Sequence, residues 1–318
     1  RLARSWSISE TAYFYVNPHA IINGAEDNSA AQVAHRIRQA KHFGRGLPAA
    51  LRRSLDRIES ITVEPPRRFT SRQQSASGKS TEVVVSAPAR IRLALFEVDP
   101  DLFENLALLL GEGYFSEFPS KRYIQTDAEI SADQLDLLAR RILPAVEHNP
   151  ILLFHLRPGV RFHDGHLLDA NDVKFTYDAI MNPENLSPRT ADYEPVKQVE
   201  VIDPLTVKIV YKRLYSPAIG TWAMSILPQH LLNETALAEE AEARGLDPKD
   251  FGLRQSRFNR NPIGCGPFSF RQWKSDQYIA LDRFEDYWEG APNYEEYITR
   301  VIPDSLTQEM EFYAGTID

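Results

Sequence analysis

One cysteine, Cys265, stands alone in 318 residues. An internal disulfide and a cysteine-rich zinc site are thereby excluded. The longest aliphatic run, Leu106-Ala107-Leu108-Leu109-Leu110, is far short of the roughly 20 residues a membrane-spanning helix needs. No serine sits in a nucleophile-elbow pattern, and Gly264-Cys265-Gly266 lacks the third glycine of a dinucleotide fingerprint. Internal repeats are absent. The chain opens on Arg1-Leu2-Ala3 without an initiator Met or a signal peptide, and it stops at Gly315-Thr316-Ile317-Asp318 without a tail-like sequence. The expectation is a piece of a longer protein. Low cysteine content does not fix its compartment.

With 43% hydrophobic and 25% charged residues, the chain has the composition of a globular protein of about two domains. Its net charge of −8 is unevenly spread. Residues 1–98 hold 15 Lys/Arg against 8 Asp/Glu, and residues 99–318 hold 21 against 36. A basic front section fits a nucleic acid or an acidic surface. Few aromatic residues interleave with the arginines, so the reading preferred here is a set of solvated helix faces.

Periodicity predicts helices over Ala30–Phe43 and from Leu47 to Ile58, and strands at Ile61–Glu64, Glu82–Val85 and Arg90–Val98. Residues 65–81 have almost no apolar side chain and read as a flexible loop, a hairpin tip or nick site. Asp99 is expected to cap a helix with Pro100 at its first position, and Ser131 to open another that Pro144 ends. After residue 150 the pattern alternates. Arg157-Pro158-Gly159-Val160 has the chemistry of a type II turn, so Phe154–Gly165 is predicted to be two antiparallel strands joined at Pro158-Gly159. Asp169 and Asp172 form a capping box ahead of a helix through Ile180. A second hairpin turns at Asp203-Pro204-Leu205-Thr206. Short helices follow Pro217 and Pro228, and residues 234–250 are an acidic, alanine-rich helix and its exit. A turn cluster at Asn261–Phe268 leads into strands near Phe268, Tyr278 and Tyr297, then into a helix from Thr307.

Three constellations carry chemistry. His155, His163, Asp164 and His166 have ligand-type side chains, but no third convergent ligand lies nearby, and turn chemistry explains Asp164-Gly165 better than catalysis. Cys265 has no adjacent basic group to activate it and reads as a small buried residue in a tight turn. Tyr193, Tyr215, Trp222, Trp273, Tyr287, Trp288 and Tyr294 fall in or beside loops, where aromatics line ligand clefts or pack under loops.

The order of motifs adds a further level. Phe154-His155-Leu156-Arg157-Pro158-Gly159-Val160-Arg161-Phe162-His163-Asp164-Gly165 resembles the signature hairpin of the family 5 extracellular solute-binding proteins, the peptide- and nickel-type receptors of ABC importers. Val201–Val207, the turn Asn261–Phe268 (Cys265 standing where the family has threonine), Tyr287-Trp288 and Ile302–Asp318 are similar to its later landmarks, and Leu2–Ser9 to an earlier one. The resemblance implies a mixed α/β (α+β) fragment of a bilobal periplasmic-binding-protein type II fold with an inserted α+β region. On this reading 1–13 is a remnant of a receptor lobe and 14–150 an inserted or enlarged region. Residues 151–301 belong to the solute-binding lobes, and 302–318 start a third, truncated lobe.

The implied protein is no enzyme. It is a periplasmic or extracellular, membrane-associated monomer without a cofactor. It closes on an oligopeptide or similar small solute by hinge bending and delivers it to a membrane permease, with no nucleic-acid partner. The expected ligand contacts are Gly264, Cys265, Gly266 and Phe268, where missing Cβ atoms let another chain approach, with Tyr215 and Trp222 as wall residues. Two alternatives remain open: a metal-assisted hydrolase using His155, His163 and Asp164, and a sensor or regulator that reuses the receptor fold.

Overall fold

The computed structural model of the chain describes residues 2–17, 28–74, 80–128 and 130–318. Its spine is an antiparallel pair, β1 (Ala3–Tyr15) and β7 (Val146–Leu156), in unbroken register from Ser5↔His155 to Phe14↔Val146, with a shift before Ser5 that sets Ala3 opposite Leu156. Each of the two strands is used twice. Beyond Glu10, β1 pairs on its other edge with β5 (Arg90–Leu95), which pairs in turn with β2 (Ile58–Glu64). Beyond Ile151, β7 pairs on its other edge with β9 (Thr206–Tyr211), and β9 with β8 (Val196–Asp203). The outcome is one staggered, all-antiparallel six-stranded sheet, β2-β5-β1-β7-β9-β8.

Alternation along these strands builds the cores. Ala12 and Phe14 of β1 join Ile91, Leu93 and Leu95 in a first core. It is covered by α1 (Ala30–Phe43), α2 (Ala49–Arg57) and α3 (Leu102–Leu110) through Val33, Ile37, Leu51, Leu55, Leu102 and Leu106. Tyr15 points the other way. It enters a second cluster with Val83, Val85, Phe118, Ala139 and Leu143, shared by β4 (Ser80–Ala87), β6 (Ile124–Gln125) and α4 (Ala132–Ile142). Leu152 and Leu156 of β7, with Val207, Ile209 and Tyr211 of β9, form the third core under α5 (Ala170–Met181) and α6 (Thr190–Tyr193). Three short helices, α7 (Ala218–Thr221), α8 (Gln229–Leu232) and α9 (Glu234–Ala243), lead to a separate sheet of β10 (Phe268–Lys274), β11 (Tyr278–Arg283) and β12 (Glu296–Arg300). Helix α10 (Ser305–Tyr313) follows.

Several expectations are corrected. Phe154–Gly165 is not a hairpin. Gly159 does take a positive φ of 78°, but both edges of β7 are already occupied there, His155 facing Ser5 on one side and Thr206 on the other. The chain leaving the turn therefore cannot pair with β7. It folds on itself around Asp164-Gly165, with Leu168 N–H donating to Val160 O and Phe162 N–H to His166 O, so that Val160 and Phe162 still reach the core. The predicted loop at 65–81 is largely strand. β3 (Arg67–Gln74) continues β2 past Pro65-Pro66, and β4 continues into β5 past Pro88. The tip, residues 75–79, lies outside the described residues. Asp99 is no helix cap; α3 starts three residues later behind Asp101. Asp99 is instead drawn inside, where Arg57 meets its carboxylate at 3.1 Å and its N–H donates to Glu10 Oε2 at 2.8 Å. The capping box at Asp169/Asp172 does form, and Ser131 does open α4, where Gln134 completes a second box.

Glu10 is fully buried and also meets His148 Nδ1 at 2.5 Å. Removing one partner of such a cluster strands the remaining charges. Glu10→Ala is expected to lower the unfolding free energy by about 3–5 kcal/mol, read from urea denaturation; a loss below about 1 kcal/mol would show that the cluster is solvated.

Candidate functional site

Three apolar cavities lie in a row and share walls. The first, about 460 Å³, is bounded by Trp6 of β1, Phe154 and Leu156 of β7, Val173 of α5, and Ile219, Trp222 and the segment Ala223–Ile226. The second, about 360 Å³, shares Leu2 and Met224–Ile226 with it and adds His163, Gly264, Cys265, Gly266, Phe268, Tyr287 and Trp288. The third, about 380 Å³, continues past His163, Gly264 and Phe268 to Phe270, Trp273, Ile279 and Leu281. Trp6 is 56% exposed although it lines the first cavity, as a side chain on an open rim would be. A row of this size with large aromatic walls suits a small organic ligand.

The walls are held by half-buried hydrogen bonds. The Trp222 indole N–H donates to Tyr211 Oη at 2.9 Å, and Tyr211 in turn donates to Ala218 O at 3.0 Å. The Tyr193 hydroxyl donates to Thr221 O at 2.6 Å. The segment behind Met224 is pinned to α5: Leu227 N–H donates to Thr176 Oγ1 and Gln229 N–H to Asp172 Oδ1, each at 2.9 Å. Burial holds the Asp172 carboxyl above its ordinary range, against the pull of the Asp169 and Gln229 amides.

His163 clamps the glycine turn. Its backbone N–H donates to Gly264 O at 2.8 Å. Its Nδ1 accepts from Gly264 N–H at 3.1 Å, and its Nε2 lies 3.0 Å from Gly266 O. Only the neutral tautomer protonated at Nε2 satisfies both ring contacts. Burial, with the edge of Phe284 at 4.9 Å, lowers the imidazole pKa, the opposing effects of Gly266 O and Asp164 being smaller. A Cβ added at Gly264 would touch the His163 ring at 3.4 Å, whereas one at Gly266 would meet nothing within 4 Å. The turn is thus closed on the histidine side and open at Gly266.

Of the anticipated contacts, Gly264, Cys265, Gly266 and Phe268 line one cavity and Trp222 its neighbour. Tyr215 lines neither; it stacks on Tyr211 at 6.0 Å and packs on the third core. Tyr287, Trp288 and Trp273 are wall residues, Tyr193 is core, and Tyr294 points to solvent. Pattern reasoning missed Leu2, Met224 and Ile226, which carry no local signal, and the bracing role of His163. The supposed metal trio does not converge. His155 Nδ1 faces Thr206 Oγ1 at 3.3 Å, His163 is committed to the turn, and Asp164 meets His230 Nε2 at 2.6 Å beneath the stacked His166 ring. Burial opposes its ionisation, yet the hydrogen bonds from His230 and His166 hold Asp164 below its usual range. Among the described residues no group of three His, Cys, Asp or Glu could hold a metal ion.

Burial pushes the Cys265 thiol up to about 11 from 9.0, with a smaller push from Asp172. Its thiolate fraction, and hence its alkylation rate by iodoacetamide at pH 8, should be roughly a hundredfold below that of the unfolded chain; equal rates with and without denaturant would contradict this. His163 has a folded pKa below its ordinary 6.5. Its stabilising contribution is complete above 6.5 and is lost as pH falls through the lowered folded value, because the unfolded chain then binds the extra proton. The Tm of His163→Phe should accordingly fall less steeply than that of the parent between pH 6.5 and the acid limb.

The family described as bacterial extracellular solute-binding proteins, family 5 Middle, matches residues 147–318. The oligopeptide-binding protein AppA of Bacillus subtilis is 36% identical over 168 residues, 51% of this chain and 28% of its own length. The glutathione-binding protein GsiB of Pectobacterium atrosepticum is 28% identical over 214 residues, 67% of this chain and 36% of its own. Among solved structures, NikZ from Campylobacter jejuni in complex with Ni(L-His) aligns with a TM-score of 0.46 at 31% identity, covering 53% of this chain and 31% of that one. The chain spans about a third of the length of the curated relatives it matches.

Proposed function

Since the chain belongs to the family 5 bacterial extracellular solute-binding proteins, a family of non-enzymatic transport receptors, we propose that it forms part of the substrate receptor of an ABC importer and that the row of cavities is its share of the ligand cleft. The observation that carries this reading is the convergence of three distant segments on one apolar trough: Leu2–Trp6, Trp222–Ile226 and Gly264–Phe268. Binding without chemistry fits the residues there. The imidazole is neutral and braced, the thiol is protonated, and no carboxylate faces the trough. Hinge closure on a ligand and docking on a permease follow from the same reading. The expected cargo is an oligopeptide or a solute of similar size with an apolar portion to fill the trough.

Residues 14–148 are, on this reading, an insertion grafted on the β1–β7 pair. The family region begins at 147, and the first two cores are built almost wholly from residues before it. No helix among the described residues is long and apolar enough to cross a membrane.

Thermal-shift screening against peptide, sugar and metal-complex libraries tests the proposal. A specific ligand raises Tm in a concentration-dependent way. Gly266→Val, which places a branched side chain in the open side of the turn, and Trp222→Ala should each weaken that ligand at least about tenfold, equivalent to ~1.4 kcal/mol. Unchanged affinity in both variants would move the cleft elsewhere, and turnover of any screened compound would contradict the receptor reading.

A further inference from the structure

Helix α1, its connection to α2 and the first two turns of α2 carry charge of a single sign, the one acidic residue of this helical hairpin being Asp56 near the end of α2. From Asn28 to Leu55 there are six basic residues, Arg36, Arg38, Lys41, Arg45, Arg52 and Arg53, and no Asp or Glu. The hydrogen bonds these side chains make do not neutralise them. Arg38 donates to Ile61 O, Lys41 to Leu55 O and Ile58 O, and Arg52 to Gly44 O, all of them carbonyl oxygens. Among the described residues none of the six forms an ion pair, and the charges of Arg38, Arg45, Arg52 and Arg53 lie on the exposed surface of a chain that is acidic as a whole.

The tip of the hairpin is built. Leu47 turns inward onto the first core, so close over Gly44 that a Cβ there would fall 2.2 Å from the Leu47 side chain and 2.4 Å from Ala40 O. Gly46 takes a φ of 83°. This tight fold leaves Phe43 projecting at the end of α1, 81% exposed, with His42 and Arg45 beside it. It is the most exposed of the protein's large hydrophobic side chains among the described residues. Keeping an aromatic ring in water inside a cationic ring has a known use: the ring enters the acyl boundary of a bilayer while the cations meet anionic headgroups.

We propose that the Phe43–Arg53 tip is a peripheral contact for an anionic lipid surface. The membrane is favoured over a nucleic-acid duplex because the apolar ring sits at the apex of the patch, where a phosphate backbone with its bases stacked inside would give it no partner. Lying in residues 28–55, the contact neither needs nor touches the ligand trough.

Vesicle co-sedimentation of the full chain tests this, with phosphatidylcholine vesicles compared with phosphatidylglycerol-rich ones. Binding is expected to the anionic vesicles only and to fall steeply between about 0.1 M and about 0.5 M salt. Phe43→Ser should weaken it about tenfold, and Arg45→Glu with Arg53→Glu at least about twentyfold, while circular dichroism and ligand-induced Tm shifts stay unchanged because all three side chains are exposed. Equal partitioning to both vesicle types, full binding by the Phe43→Ser variant, or displacement from the vesicles by duplex DNA at equal phosphate concentration would each overturn the proposal.

Discussion

The pairing of β1 with β7 is the constraint from which the rest of the molecule hangs. Two strands of unusual length stay in register from Ser5↔His155 to Phe14↔Val146. Their outer edges are offered at different heights, so one pair nucleates two halves of a sheet. The lower half carries β9, β8 and the core beneath the apolar trough; the upper half carries β5, β2 and the helical hairpin. Slipping the register by one residue would exchange Phe14 for Tyr15, and Leu152 for Leu153, across the sheet and empty every core at once. The buried Glu10–His148 contact lies where the two halves meet and fixes that register by a polar match rather than by volume alone.

The trough inherits its shape from this frame. Its floor is sheet, Trp6 and Phe154, which stand opposite each other in the ladder. Its lid is irregular chain, and irregular chain needs bracing. Asp172, Thr176, Tyr193 and Tyr211 brace one stretch, and His163 braces the glycine turn. Polar groups that look chemically capable are thereby consumed in holding backbone, which leaves a surface that can select by shape but has little with which to react.

What could be read in the sequence follows the range of the physics involved. Helix starts set by local hydrogen bonds were legible: Ser131 with Gln134, and Asp169 with Asp172, lie three residues apart and need nothing else. The amphipathic helices α1 and α2 were legible for the same reason. The motifs that carried the family resemblance, Leu2–Ser9 excepted, sit in the region the family matches, and the resemblance survives the loss of the hairpin it was attached to. Failures came where distant groups intervene. Asp99-Pro100 has every local mark of a helix start, but Glu10 and Arg57 claim Asp99 for the interior. Pro158-Gly159 does turn the chain, yet whether a turn makes a hairpin depends on a free strand edge, and β1 and β9 had taken both. His163 and Gly264 are 101 positions apart, so no spacing rule could join them.

The long ribbon formed by β2–β3 and β4–β5 bends where Pro65-Pro66 stand across from Pro88-Ala89. Three prolines at that corner supply no amide hydrogens, so the exposed border of the ribbon is divided into two short pieces that belong to different sheets. A single straight border of that length would be a template for another molecule's backbone to zip onto. Broken at the corner, the ribbon gives a growing aggregate no continuous rail, and the protein keeps its long arm without sticking to its neighbours by it.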